Sequence, residues 1–177
     1  MAAARERHLV LRTVENMLRY LFCSAVTWTV PGLLGGLAYR EVTKAFDFTG
    51  RTQLAVVHTH ALTLGTLLML LLLALAAALP GLRADKRLRW GTHLLNAGLV
   101  LTVGMLAYKG TLQVIGASFV DHSAIAGVSG LGHMLLTGAL ALVLLATGRA
   151  VNAAPVDAST ADTAAVRVQT RELLQPR

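Results

Sequence analysis

The chain has 177 residues, of which 55% are hydrophobic and 14% are charged, whereas an ordinary soluble domain carries about 25% charged residues. Its mean hydropathy of +0.61 is too high for a water-soluble globule of this size. The net charge of +7 would suggest a nucleic-acid partner in a soluble protein, but here the basic residues flank the apolar runs, as they do in membrane proteins. The composition therefore excludes a large soluble catalytic domain and predicts a membrane protein that binds no nucleic acid.

Four stretches of the sequence contain no Lys, Arg, Asp or Glu, and they are 20, 31, 19 and 27 residues long. About 20 apolar residues in a helix cross a hydrocarbon core of roughly 30 Å. The runs are continuous and rich in Leu and Ala, whereas the strands of a membrane β-barrel alternate in polarity. The sequence therefore predicts an all-α membrane protein with four transmembrane helices, at about 18–39, 53–79, 90–115 and 123–147.

The segments outside this 18–147 domain are short. We predict a cytoplasmic arm over residues 1–17 and a disordered cytoplasmic tail over residues 148–177, which is rich in Ala, Thr, Val and Asp. Eight Lys and Arg residues lie in the N-terminal segment up to Arg19 and in the loop between spans 2 and 3, against three in the loop between spans 1 and 2. The positive-inside rule then places both termini in the cytoplasm, in a multi-pass protein of the cytoplasmic membrane.

Ionisable residues inside a bilayer are rare because burying them is costly, so each one suggests a function. Counted from the ends of the spans, the candidate histidines lie about 8–15 Å along their helices, in the outer half of the membrane. Two further polar residues reach the same half from span 3. We expect five side chains to converge there: His58, His60, His133, Lys109 and Gln113. His93 and His122 are expected at the two interfaces.

The spacing of His58 and His60 is informative because positions i and i+2 of an α-helix point about 200° apart. These two side chains cannot bind one ion from one helix, so each needs its own partner. Neutral imidazole binds haem iron, copper and zinc, and interhelical hydrogen bonds are the alternative role. Motifs for phosphate binding, nucleophilic catalysis or paired carboxylates are missing from the sequence, which argues against an enzyme in its own right.

Several short motifs resemble those of an uncharacterised family of small four-span bacterial membrane proteins. They are Tyr39 to Lys44, Phe48 to Gly50, Val56 to His60, Lys109 to Gly116, and Ser129 to His133. The resemblance covers about residues 15–147. It implies the same four-span fold in a bacterial membrane, and it implies no activity.

A more distant resemblance is to a four-helix unit of the catalytic subunit of haem-copper oxidases. Three such units surround a pseudo-threefold axis there, and one unit carries a His-x-His pair on its second helix whose members bind two different haems. His58 and His60 are similar to that pair in span position and spacing. The oxidase's His-His copper pair and its cross-linked tyrosine have no counterpart in this sequence, so the resemblance does not imply oxygen reduction or proton pumping.

These observations predict a b-type haem protein with bis-histidine ligation, which serves electron transfer or redox or gas sensing. His58 of one subunit and His60 of its neighbour would be the axial ligands in a homo-oligomer, with a trimer favoured. His133 would be an alternative ligand or support the site, Gln113 would line it, and Lys109 or Arg40 would pair with the haem propionates. The expected partners are further copies of the chain, the lipid bilayer and a redox protein.

Two other functions are compatible with the same residues. One is a membrane module that binds copper or another transition metal through His133 and one of the paired histidines, with Met105 or Met134 as a soft ligand. The other is a structural accessory subunit without a cofactor, in which the histidines only make hydrogen bonds between helices.

Overall fold

A computed structural model describes the backbone of residues 2–153 and the side chains of residues 16–153. Every regular element in this part of the chain is helical. Four helices are long and apolar enough to cross a membrane, as the sequence predicted. The elements in chain order are α1 (Ala2–Ala45), α2 (Gln53–Ala78), the short α3 (Pro80–Ala84), α4 (Lys86–Val114) and α5 (Ser123–Ala153).

The first and last helices, α1 and α5, are longer than the predicted spans. The backbone of the predicted arm is helical from residue 2 and continues without a break into span 1, and Pro31 lies inside this long helix. The first six residues of the predicted tail, 148–153, continue α5, and the rest of that tail lies outside the described residues. We call the end of the bundle with the connections 46–52 and 115–122 the two-loop end, and the opposite end, with the start of α1 and the end of α5, the termini end.

Helix α2 changes its hydrogen-bond pattern three times. It begins as a 3₁₀ turn (Gln53–Val56), becomes α-helical (Val57–His60), continues as a π-helix (Ala61–Leu67), and returns to an α-helix (Leu68–Ala78). Within the π-helix the amide N–H of Leu68 donates to the carbonyl of Thr63, five residues earlier. Such segments are rare and are frequently found at functional sites.

The start of α2 is anchored on α4 near the two-loop end. The hydroxyl of Thr52 donates to the carbonyl of Gly110 at 2.7 Å, and the amide N–H of Gln53 donates to Oε1 of Gln113 at 2.7 Å. Gly110 has no side chain where the backbone of Leu54 crosses it, and a Cβ at this position would overlap that backbone. The two helices therefore approach as closely as their backbones allow.

The four long helices form an open arrangement. Helix α1 packs along α2, with Gly32 against Leu62 and Gly65 against Trp28. Helix α5 packs along α4, with Gly132 against the main chain of α4, and in the described part of the chain its only other helix contact is with α3. Within the described residues, spans 1 and 2 do not contact α5, so one side of α5 has no helical neighbour.

A polar network joins α1 to α4 on the termini side of the bundle. The indole Nε1–H of Trp28 donates to Oδ1 of Asn96 at 2.7 Å. The amide Nδ2 of Asn96 donates to the hydroxyl of Tyr20 at 3.0 Å, and it lies 3.3 Å from the hydroxyl of Ser24. The hydroxyl of Tyr20 also lies 2.8 Å from Nδ1 of His93. One amide side chain therefore satisfies polar groups on both helices.

We expect Asn96→Ala to lower the free energy of unfolding by about 1–3 kcal/mol, because the buried Trp28 indole loses its acceptor. The measurement is denaturation of the purified protein in mixed micelles. Asn152→Ala is the matched control, because Asn152 is exposed near the end of α5. Equal stability of the two variants would contradict a structural role for the network.

Candidate functional site

His60 and His133 lie at similar depths in the two-loop half of the bundle. Leu54 packs at Gly110 of α4, and Gly132 packs at Thr102 of the same helix. With a rise of 1.5 Å per residue, His60 lies about 9 Å from the level of Gly110 and His133 lies about 13 Å from it. Both histidines therefore lie in the half of the bundle that is nearer the two-loop end.

The same hydrogen bond fixes both imidazole rings. Nδ1 of His60 lies 2.9 Å from the carbonyl oxygen of Val56, and Nδ1 of His133 lies 2.9 Å from the carbonyl oxygen of Ser129. A carbonyl can only accept, so Nδ1 carries the proton in each ring. The neutral ring then has an unprotonated Nε2, which is the atom that binds a metal. Metal-ligating histidines usually donate their other ring N–H to such a partner.

His58 lies in a different environment. Its Cβ and Cγ are 3.7 and 3.8 Å from the place where a Cβ of Gly36 would stand, so the residue packs over α1 inside the protomer. Its Nδ1 is buried and has no hydrogen-bond partner within residues 16–153. A buried polar atom without a partner costs about 1–3 kcal/mol and calls for an explanation.

Open space lies beside His133 on α5. Gly104 on α4 and Gly127 and Gly130 on α5 have no atom within 4 Å of the position that a Cβ would occupy. Gly130 stands one turn before His133 on the same side of α5, and Gly104 is close to its depth. The helix surface beside His133 is therefore flat, and a planar group could approach its backbone.

The other predicted site residues have local partners. Nζ of Lys109 lies 3.4 Å from Oδ1 of Asp121, and the exposed Arg40 lies 3.7 Å from the carboxylate of Glu41. Oε1 of Gln113 accepts from the start of α2, as described above. Lys109 and Arg40 are both near the two-loop end, where charged groups of a cofactor would reach them.

Two histidines that were expected at interfaces differ in their contacts. Nδ1 of His122 accepts from the amide N–H of Ala124 at 3.3 Å, at the start of α5. His93 belongs to the network with Tyr20 and Asn96, and its ring centroid lies 4.7 Å from that of Tyr20. Sequence reasoning missed this network, and the signal that was available was the position of Asn96 inside an apolar run.

Described residues form no group of three or more His, Cys, Asp or Glu side chains placed to hold one metal ion. The single cysteine, Cys23, is exposed on α1. The histidines of the candidate site therefore stand as separate donors on the surfaces of α2 and α5.

A known protein family matches the region that holds the candidate histidines. The sequence profile of a family described as "Protein of unknown function (DUF2871)" matches residues 18–150. The chain belongs to this family. The matched region contains the four spans and every candidate histidine, and it supports the uncharacterised-family resemblance seen in the sequence. No curated protein and no solved structure matches the chain.

Proposed function

We propose that this protein is a b-type haem protein of the membrane, with two histidine ligands, that serves electron transfer or redox or gas sensing. The observation that carries the proposal is the shared geometry of His60 and His133. Both rings donate Nδ1–H to their own helix, both have Nε2 free, and both lie in the two-loop half of the bundle. Haem, when bound, supplies a one-electron redox centre whose potential depends on its ligands and surroundings.

The ring environments favour His60 of one subunit and His133 of its neighbour as the axial ligands, because α2 and α5 make no contact within the described part of one protomer. Their Nδ1–H bonds hold the tautomer and orient the rings before a cofactor enters, which lowers the entropy lost on binding. His58 packs over α1, so in the proposal it supports the site and does not bind the iron. Its buried Nδ1, which has no partner among the described residues, is the atom available for that role. The pairing of His58 with the His60 of a neighbour, which the sequence suggested, is the competing arrangement.

The remaining polar residues provide charge at the two-loop end. Lys109 is held by Asp121, whose side chain is 88% exposed. Exchange of this exposed carboxylate for a haem propionate would keep Lys109 paired. Arg40 is exposed on the same end and can contact a second propionate.

The proposal includes a homo-oligomer, with a trimer favoured, and both termini in the cytoplasm of a bacterium. The side of α5 that lacks a helical neighbour supports the oligomer, because haem bound there would need a cover from a second subunit. The distant resemblance to a haem-copper oxidase unit, in which such bundles surround a threefold axis, points to three copies. The distribution of Lys and Arg supports the orientation.

The decisive experiment is an absorption spectrum of the protein purified in mild detergent from haem-supplied cells. We expect a Soret band and, after reduction, the sharp visible bands of a six-coordinate b-type haem, at one haem per subunit or fewer. Elemental analysis of the same sample measures iron and copper. Copper without porphyrin would replace the haem proposal with the copper module, and a sample with neither would support the structural accessory subunit.

A further inference from the structure

A cavity of about 280 Å³ opens at the termini end, between α1, α3 and the start of α4. Its lining includes Arg83, Arg89, Tyr20, His93 and Asp85. Among the described side chains, two guanidinium groups therefore share this space with one carboxylate. The cavity lies at the opposite end of the spans from the candidate haem site, and the proposed function does not use it.

The carboxylate in the cavity is already engaged. Oδ1 of Asp85 accepts from the amide N–H of Arg87 at 2.8 Å, which caps the start of α4, and Oδ2 lies 3.7 Å from the Arg87 guanidinium. Nε of Arg83, in contrast, is buried and has no hydrogen-bond partner among the described residues. A buried guanidinium N–H that lacks an acceptor is costly. The cavity thus has donors and positive charge available for an anion.

An apolar groove continues from the cavity toward the middle of the membrane. It measures about 470 Å³, lies between α4 and α5, and is lined by Trp90, Leu94, Ala97 and Leu142. His93 lines both the groove and the cavity, so the two spaces adjoin. Trp90 is 67% exposed at the charged end of α4, where aromatic side chains mark the boundary between lipid tails and headgroups.

We propose that the cavity and the groove together bind one anionic phospholipid. The lipid phosphate would occupy the cavity beside Arg83 and Arg89, and an acyl chain would lie along Trp90 and Leu142. Basic pockets between transmembrane helices bind anionic headgroups in this way. A free phosphate ion would use the cavity alone, so the adjoining apolar groove identifies the ligand as a lipid.

The test uses the fluorescence of Trp90 in the full-length protein reconstituted into phosphatidylcholine vesicles. Phosphatidylglycerol with brominated acyl chains is added in increasing amounts, and brominated phosphatidylcholine is the comparison. We expect the anionic lipid to quench at a much lower mole fraction. Arg89→Gln should weaken its apparent affinity about fivefold, and Arg83→Gln with Arg89→Gln about 25-fold, at roughly 1 kcal/mol for each basic residue.

Lys86→Gln is the control, because Lys86 is exposed in the same connection and does not line the cavity. It removes the same charge and should leave the lipid preference unchanged. The Trp90→Phe variant retains only the buried Trp28, so it should lose the lipid-dependent quenching. Equal quenching by the two lipids, equal effects of Lys86→Gln and Arg89→Gln, or loss of the preference in millimolar inorganic phosphate would overturn the proposal.

Discussion

His60→Ala and His133→Ala should each remove most of the bound haem, whereas His58→Ala should retain it. The first two variants lose an imidazole whose Nε2 is free and whose ring is fixed by its own helix. Loss of a hydrogen-bonded partner of a ligand typically weakens metal binding about 10–100-fold, and loss of the ligand itself should exceed this. The measurement is the ratio of Soret absorbance to protein in matched preparations.

His122→Ala is the control for this series, since that histidine is exposed beside the start of α5, roughly 16 Å along the chain direction from His133. We expect it to keep full haem occupancy. The His58→Ala variant should shift the redox potential while it keeps the haem. Equal haem loss in His58→Ala and His60→Ala, with only a spectral change in His133→Ala, would refute our ligand pair and support the shared pair on α2.

Gly110→Ala should destabilise the fold more than any other single added methyl group. The new Cβ would overlap the backbone of Leu54, and the nearest side-chain atom would be 2.8 Å away. Backbone cannot move aside as a flexible side chain can, so we expect a loss of about 3 kcal/mol, at the upper end of the usual cost of overpacking. The hydrogen bonds from Thr52 and Gln53 to α4 would be lengthened at the same time.

The measurement is the midpoint of unfolding in mixed micelles, with Gly104→Ala as the control. Gly104 lies in the same helix, and a Cβ there would have no atom within 4 Å. The control variant should be neutral or slightly stabilised, because Ala favours a helix more than Gly does. If both variants unfold at the same midpoint, the close approach of α2 and α4 does not contribute to stability.

The sequence predicted the four spans, because they follow from hydropathy and a fixed rise per residue. Depth depends only on the position of a residue along its own helix. Such features are local, so no tertiary information was needed to find them.

The neighbours of each residue could not be read from the chain. Gln113 is predicted to line a cofactor site, and its amide oxygen also accepts from the start of α2, a contact that depends on how two helices cross. The role of Asn96 depends on partners 68 to 76 residues away. The orientation of His60 and His133 depends on side-chain rotamers that no pattern of residue types determines.

The π-helix that follows His60 has a consequence for related sequences. A π-turn holds one more residue than the α-turn it replaces, so the segment from Ala61 to Leu67 contains, in effect, an inserted residue. Deleting one residue there would restore an unbroken α-helix, because the wider turn is what absorbs the extra residue. His58 and His60 would then keep their directions relative to Leu68–Ala78, whereas a one-residue deletion in an α-helical part of α2 would rotate the residues before it by about 100° relative to those after it. Related sequences that are one residue shorter should therefore keep the site only where the missing residue falls within this segment.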